Sequence, residues 1–500
     1  MNRLPAFCLV LAAILPQAAA ATDPDFGPLA DLVRQTKDAT ALPSGTAIAV
    51  VRDGRIVWEG YFGFADIEAR TPVTRDTGFY IASATKPFFA LNMLLKEEAG
   101  LLDTRTSLQR MFPEVRFAAG IDADAVTARD LLVHTSGVDN PPLVWATAFS
   151  GIHDARSRLA LVAASRADGK AARGTFKYTN VGYNIASVWL DRRLATPWQE
   201  QLDDAIFRPL SMHRTTAYVS KAEAAGWPLA KPYSLVDAQP DEPLYLAKSD
   251  ETLHAAGGLV STAPDLARFL MAQLAGGARS ISRTAIERSQ QPQVALAAQY
   301  LDFPRTGYAW GWYMGEYKGR KLLHHFGSFP GFHAHLSFMP EEHIALVVLN
   351  NEDTLSARLT SLIADYAYGV LLEEPGTASK ASRRFDELQA QARKLRLAAI
   401  RHREAIQSRA WRLSRPREDY VGTYANDLLG DMTVQLDGDR NLLIRWGRLA
   451  ATATAGERQD QVRVEFSPNT GEFLDFAAGN AGIEAISFDE MTFRRVGHRP

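Results

Sequence analysis

Cysteine is almost missing from this chain of 500 residues: Cys8 is the only one. No intrachain disulfide can form, and no thiolate cluster can hold a metal. An excess of one charge is missing too. The 55 Lys and Arg stand against 57 Asp and Glu, for a net charge of -2. Nothing in that balance favours nucleic acid or a strongly acidic substrate. Beyond the N-terminus no apolar run is long enough to read as a membrane span. Neither a Gly-x-Ser-x-Gly nucleophile elbow nor a Gly-rich P-loop occurs. What is present, 46% hydrophobic and 22% charged residues, is the composition of a globular protein. The length is too great for one ordinary core, so one large domain and one smaller one are expected.

Residues 1–20 read as a signal peptide. Arg3 is the basic start, 4–15 the apolar stretch, and Ala18-Ala19-Ala20 the small-residue cleavage site. Cys8 lies inside the removed segment, too early to carry a lipid. A periplasmic or secreted bacterial protein is expected, with an uncleaved anchor as the alternative. A large domain is expected over 21–372. It opens on strands 46–51 and 55–58 joined by Asp53-Gly54, a type I′-compatible turn. Helical and loop segments fill about 86–275. Strands return at 322–325, 332–339 and 344–349, and a helix over 355–372 closes the domain. Strands at both ends with helices between them predict an α+β fold: one antiparallel sheet with an inserted helical subdomain.

A linker and amphipathic helix are expected over 373–417. Phe385, Leu388, Ala392, Leu395, Ala399 and Ile406 form one face of that helix and arginines and lysines the other. A basic face can touch an anionic membrane surface, but the stronger reading is a solvated face on a docked helix. From 418 to 500 alternating strands and turns predict a small all-β barrel or sandwich.

The most informative short segment is Ser83-Ala84-Thr85-Lys86. It follows an apolar strand-like run, 78–82, and opens a helix over 87–99 that is apolar almost all round, hence interior. Residues three apart share a helix face, so Lys86 can reach the Ser83 hydroxyl. Burial and the helix N-terminus both lower an amine's pKa, and a neutral amine can take the serine proton. Tyr178-Thr179-Asn180 supplies a phenol that a neighbouring cation can shift toward phenolate. It also supplies an amide able to accept from Lys86 and to donate to a substrate carbonyl. His325-Phe326-Gly327-Ser328 ends a strand. The glycine lets a substrate lie along the strand edge, and the Ser328 N–H can pair with that of Ser83 as an oxyanion hole. His134 and Ser136, in 131–137, read as turn-stabilising residues.

Together these segments resemble the serine β-lactamase and penicillin-binding-protein superfamily, in its class C-like branch of β-lactamase-related hydrolases. Ser83–Lys86 matches the first motif, Tyr178–Asn180 the second in its Tyr-x-Asn form, and His325–Gly327 takes the place of the third. The segments 131–137, 257–262 and Gly311-Trp312 match as well, and the resemblance covers about 40–370. It implies a β-lactamase/transpeptidase-like fold and acyl transfer without metal or organic cofactor, on a small-molecule or peptide substrate. Ser83 is then the nucleophile, Lys86 its deprotonating or hydrogen-bonding partner and Tyr178 a general base. Asn180 orients the substrate, and Ser83 with Ser328 holds the oxyanion. The share of the proton between Lys86 and Tyr178 stays open, since such a pair titrates jointly.

His325 departs from the pattern, which usually has lysine there as a fixed cation for a substrate carboxylate. A largely neutral imidazole weakens that pull. An exported hydrolase of esterase or peptidase type is therefore the leading expectation. A penicillin-binding DD-peptidase or β-lactamase-type activity is one alternative, and a non-catalytic binding or sensor protein the other. A metal site from His324, His325, His333, His335 and His343 is the weaker reading of that stretch, since no carboxylate stands at ligand spacing. The walls of the cleft are expected from irregular stretches at 141–152, 218–254 and 291–305. Their aromatics, Trp145, Tyr233, Tyr245 and Tyr300, fit an apolar cleft or a packed loop.

Overall fold

The computed structural model describes residues 24–278, 281–480 and 482–497; the expected signal peptide and Cys8 lie outside them. The first hairpin joins β1 (Thr46–Arg52) to β2 (Arg55–Phe62) through Asp53 and Gly54, both at positive φ (51° and 73°). That is the backbone a two-residue turn needs to follow the strand twist. Six later strands complete the sheet: β3 (Val294–Tyr300), β4 (Phe303–Tyr308), β5 (Tyr313–Tyr317), β6 (Arg320–Phe329), β7 (Phe332–Met339) and β8 (Ile344–Asn350). Their order is β2-β1-β8-β7-β6-β5-β4-β3. Every pair is antiparallel, and Thr46 stands opposite Asn350 where the two ends of the domain meet. The 291–305 stretch, expected to be irregular, instead builds most of the β3–β4 hairpin. Its alanines gave no strand signal, and pairing with neighbours decides the conformation.

The principal helices are α1 (Gly27–Thr40), α2 (Lys86–Glu98), α3 (Val181–Leu194), α4 (Ala263–Leu274), α5 (Ser356–Leu371) and α6 (Thr377–Gln407). Alternation along the strands divides them between two layers. Ile48, Val50, Leu346 and Val348 face α1, α5 and α6. Ala47, Ala49, Val347 and Leu349 face the opposite core, with Phe88 of α2 and Leu266 of α4. Helix α6 begins at Thr377, so the segment that reads as linker shrinks to a few residues ending at Gly376, in the left-handed region. Two arginines of its basic face are spent internally, Arg396 on the Leu235 carbonyl (2.8 Å) and Arg403 on that of Val236 (2.7 Å).

The C-terminal strands are β9 (Gly422–Asn426), β10 (Gly430–Leu436), β11 (Leu442–Trp446), β12 (Leu449–Thr452), β13 (Thr454–Ala455), β14 (Gln461–Val464), β15 (Glu472–Gly479), β16 (Gly482–Phe488) and β17 (Met491–Arg495). Each pairs with its sequence neighbour, except that β12 runs into β13 across Ala453, and β9 pairs with β17. The meander thus closes on itself, with Trp446, Phe466, Phe488 and Phe493 packed inside. This barrel docks on the 141–152 segment. Trp145 packs on Trp446 and Phe488 and donates to Asp489 (2.8 Å), and the Arg448 N–H donates to the Ser150 carbonyl (2.9 Å).

Three histidines occupy the α5 side of the sheet, all buried. His335 shares a chain with Ser337 (2.6 Å) and Tyr368 (2.6 Å), His333 reaches Thr360 (3.4 Å), and neither ring nitrogen of His324 has a partner. Among the described residues no group of three His, Cys, Asp or Glu is placed to hold a metal. Burial lowers all three pKa values, with Arg305 adding to the effect at His324 and the other histidines at His324 and His335. His333 falls to about 3. Unfolded, each takes a proton near 6.5; folded, each resists. The unfolded chain therefore binds more protons below pH 6.5, and stability falls with pH by roughly 1.4 kcal/mol per unit for each group. Thermal unfolding from pH 7.5 to 4.5 should show this decline. His324→Phe, an apolar ring among Phe303, Tyr313 and Phe326, should flatten it.

Candidate active site

The site is built on a tight turn. Phe79 and Tyr80 pair with Ser261 and Val260, and the Tyr80 hydroxyl donates to the Gly257 carbonyl. Ala82 then takes φ 45°, a left-handed conformation uncommon for a residue with a Cβ. Ala82–Thr85 forms one 3₁₀ turn and α2 starts at Lys86. Phe88, Phe89, Leu91, Met93 and Leu94 are buried on all sides of α2, and Lys86 at its head is fully buried.

Lys86 Nζ lies 3.0 Å from Ser83 Oγ, 2.9 Å from Asn180 Oδ1 and 2.7 Å from the Ala256 carbonyl. It stands over the rings of Tyr178 (4.7 Å) and Tyr183 (5.5 Å). Among the described residues no carboxylate pairs with it. Burial pushes its pKa well below 10.5, because a desolvated ammonium without a counter-ion is costly. The neutral amine this favours is the form that accepts a hydroxyl proton.

Tyr178 and Asn180 precede α3. The backbone between them is held by His134, whose own φ is 62°. The Thr179 N–H donates to His134 Nδ1 (3.3 Å) and the Lys177 N–H to its carbonyl (2.9 Å). That fixes the other ring nitrogen, 3.1 Å from the Tyr308 hydroxyl, as the donor. His134, read from sequence as a turn residue, is thus also the support beneath the Tyr178 ring (4.6 Å). Tyr178 Oη is buried and makes no hydrogen bond. The pull of Ser83 on it is outweighed by burial and by Tyr313, so its pKa sits well above 10.0. Desolvation thus reverses the expected shift toward phenolate.

Strand β6 forms the facing wall. Its pairing with β5 ends at His324, so the edge from His325 to Phe329 has no strand beside it on that side. Gly327 is packed onto the Ser83 turn: a Cβ there would overlap the Ile81 carbonyl and lie 3.0 Å from the Ala84 N. Ser328, next along, is exposed. His325 is buried, donates from Nδ1 to the Phe326 carbonyl (2.7 Å), and leaves Nε2 without a partner. Burial, then Lys86, keeps it neutral, well below 6.5.

Ser83, Lys86, Tyr178, Asn180, His325, Gly327 and Ser328 therefore gather around one turn. The four aromatics weighed as cleft walls do not join them. Tyr233 is buried and accepts from the Ile67 N–H, and Trp145 and Tyr245 meet the barrel. Tyr300 packs on Phe326. Two contributors escaped sequence reading. The Ala256 carbonyl is backbone and carries no residue signal. Tyr313 is a strand residue that stacks toward both Tyr178 (6.1 Å) and His325 (5.5 Å).

The profile of the beta-lactamase family matches residues 29–367. The chain belongs to the beta-lactamase family, and is a serine hydrolase. The unguisins hydrolase ungD' of Aspergillus campestris (strain IBT 28561) is 26% identical over 479 residues, covering 93% of this chain and 86% of that protein. Penicillin-binding protein 4* of Bacillus subtilis (strain 168) is 26% identical over 326 residues, covering 62% and 68%. Among solved structures, the octameric penicillin-binding protein homologue from Pyrococcus abyssi aligns with a TM-score of 0.61 at 22% identity. It covers 94% of this chain and 99% of that one. In this beta-lactamase-family chain the packing at Gly327 sets a testable limit. Gly327→Ala should lift β6 off the turn, cutting hydrolytic turnover at least tenfold and stability by about 1–3 kcal/mol. Kinetics and thermal melting together measure both.

Proposed function

We propose that this is an exported hydrolase that cleaves an amide or ester bond through an acyl-enzyme on Ser83. The observation that carries the reading is Lys86: a fully buried amine, unpaired with any carboxylate among the described residues, 3.0 Å from a partly exposed serine hydroxyl. The amine takes the Ser83 proton as Oγ adds to the substrate carbonyl. The N–H groups of Ser83 and Ser328 receive the oxyanion, and Asn180 holds the acyl side chain's polar group. Tyr178, kept a phenol by burial, gives its proton to the leaving amine or alkoxide and recovers one from Lys86 by way of the site's hydroxyls. Water then attacks the acyl-enzyme with the same groups in reverse. The free β6 edge offers backbone pairing to an extended substrate. That favours a peptide.

One observation favours a second reading, a penicillin-binding or DD-peptidase activity on a carboxylate-bearing substrate. His325 supplies no cation, but Arg305 has no carboxylate partner among the described residues and stacks on Tyr313 (3.6 Å). Its charge acts on both Tyr178 and His325.

A stopped-flow assay of a short-chain p-nitrophenyl ester tests the first reading. A burst followed by turnover is expected, and Ser83→Ala should abolish both while leaving the melting temperature within a few degrees. Turnover surviving in that variant would overturn the acyl-enzyme. Rapid acylation by a penicillin would favour the second reading. The pH–rate profile of the burst should fall as pH drops through the Lys86 pKa, since protonation removes the base. That acid limb should lie well below 10.5, and Lys86→Met should lose at least a thousandfold in burst rate at every pH.

A further inference from the structure

Lys86 depends on an oxygen, the Ala256 carbonyl, that belongs to no motif, and its placement has a visible cause. Ala256 sits in a turn in which the Gly257 N–H donates to the His254 carbonyl (2.8 Å). Gly258 lies against His254 so closely that a Cβ would press on the His254 N and carbonyl. The turn is therefore only as fixed as His254. That ring is buried (8% exposed) and its Nδ1 lies 3.1 Å from Asn184 Oδ1.

Asn184 follows Asn180, the residue that caps α3, by four positions, so the two stand on one side of the helix. Asn180 holds Lys86 directly; Asn184 holds the turn that supplies the other carbonyl. The hydrogen-bond directions can be derived. The Thr147 hydroxyl gives its proton to the Leu143 carbonyl (2.7 Å), so it can only accept from Asn184 Nδ2 (3.1 Å). Asn184 Oδ1 then faces His254, and His254 must donate from Nδ1. A neutral imidazole with its proton there has one donor, and this bond uses it. The charged and titratable groups around the ring are Lys248, Lys86 and His153, none of them acidic, and they agree with a neutral ring.

We infer that Asn184 and His254 are a positioning pair that fixes the Ala256 carbonyl against the Lys86 amine, and through it the alignment of Lys86 with Ser83. Neither touches substrate. The chain Thr147–Asn184–His254–Ala256 runs from the segment that the barrel packs on to the base of the nucleophile, and all of its members are buried. Buried networks of this kind act as a unit, so removing either amide or imidazole frees the same carbonyl.

The inference rests on the acyl-enzyme reading, and the burst assay separates the two. If the parent protein gives no burst, or Ser83→Ala keeps it, the acyl-enzyme reading fails, whatever the positioning pair does. With a Ser83-dependent burst in hand, His254→Phe and Asn184→Leu keep the shapes and remove the bond. Each should slow the burst rate 10- to 100-fold while the burst amplitude, which counts competent sites, and KM stay within twofold. The double variant should be no slower than the worse single one. His254→Asn, which retains an N–H near Nδ1, should recover the rate to within about threefold of the parent. Burst rates within twofold of the parent in both single variants would overturn the inference. So would amplitudes that fall with the fraction folded while the rate per site is unchanged, since the pair would then only stabilise the fold.

Discussion

A buried amine without a counter-ion is the constraint on which this structure turns. Desolvating Lys86 is tolerable only if its nitrogen finds oxygen on every side, and it finds three: a serine hydroxyl, an asparagine amide and a backbone carbonyl. They come from positions 83, 180 and 256, so three distant stretches must converge on one point. The inserted helical region, the head of α2 and the entry to α3 are all positioned by that requirement. The same desolvation that strains Lys86 keeps Tyr178 protonated and His325 neutral. Burial thus favours the uncharged form of the amine, the phenol and the imidazole alike, and Arg305 is the charge that faces them.

The sheet contributes rigidity and nearness. β6 is fixed by β7 from Leu323 to Phe329 and by β5 from Arg320 to His324. The half that β5 leaves free is the half that meets the Ser83 turn. Gly327 permits backbone-to-backbone packing there, and Gly311 does the same on the other side, where a Cβ would crowd Pro87 and the Lys86 carbonyl carbon. Two glycines thus let strand β6 and the loop between β4 and β5 press on the turn and the head of one helix. The left-handed Ala82 completes the fit from within the turn.

Much of this was legible in the residues. Ser83 and Lys86 announced themselves because their spacing matches a helical turn and their setting is apolar. The inner strands β1, β7 and β8 were legible from β-branched and apolar runs, and the Asp53-Gly54 turn from its demand for positive φ. The rest was hidden for physical reasons. The β3–β4 hairpin is written in alanine, glutamine and proline, which follow their neighbours rather than dictate to them. The start of α6 lies in Thr-Ala-Ser, small residues read as loop. The Ala256 carbonyl has no side chain to betray it, and His134 looks the same in sequence whether it braces a turn or a phenol. The direction of the Tyr178 shift was misjudged because burial, unlike a neighbouring charge, leaves no local mark.

The closed barrel carries a consequence of another kind. Its first strand, β9, lies beside its last, β17, with the Val496 N–H donating to the Thr423 carbonyl (2.9 Å). The two ends of this unit leave it side by side, and its sheet begins and ends on β12 and β13, which are consecutive in the chain. A unit of that form can be joined to, or spliced between, unrelated segments of chain without disturbing its own pairing. It is built as a portable part, and its attachment to the hydrolase lies in the side chains around Trp145 rather than in its topology.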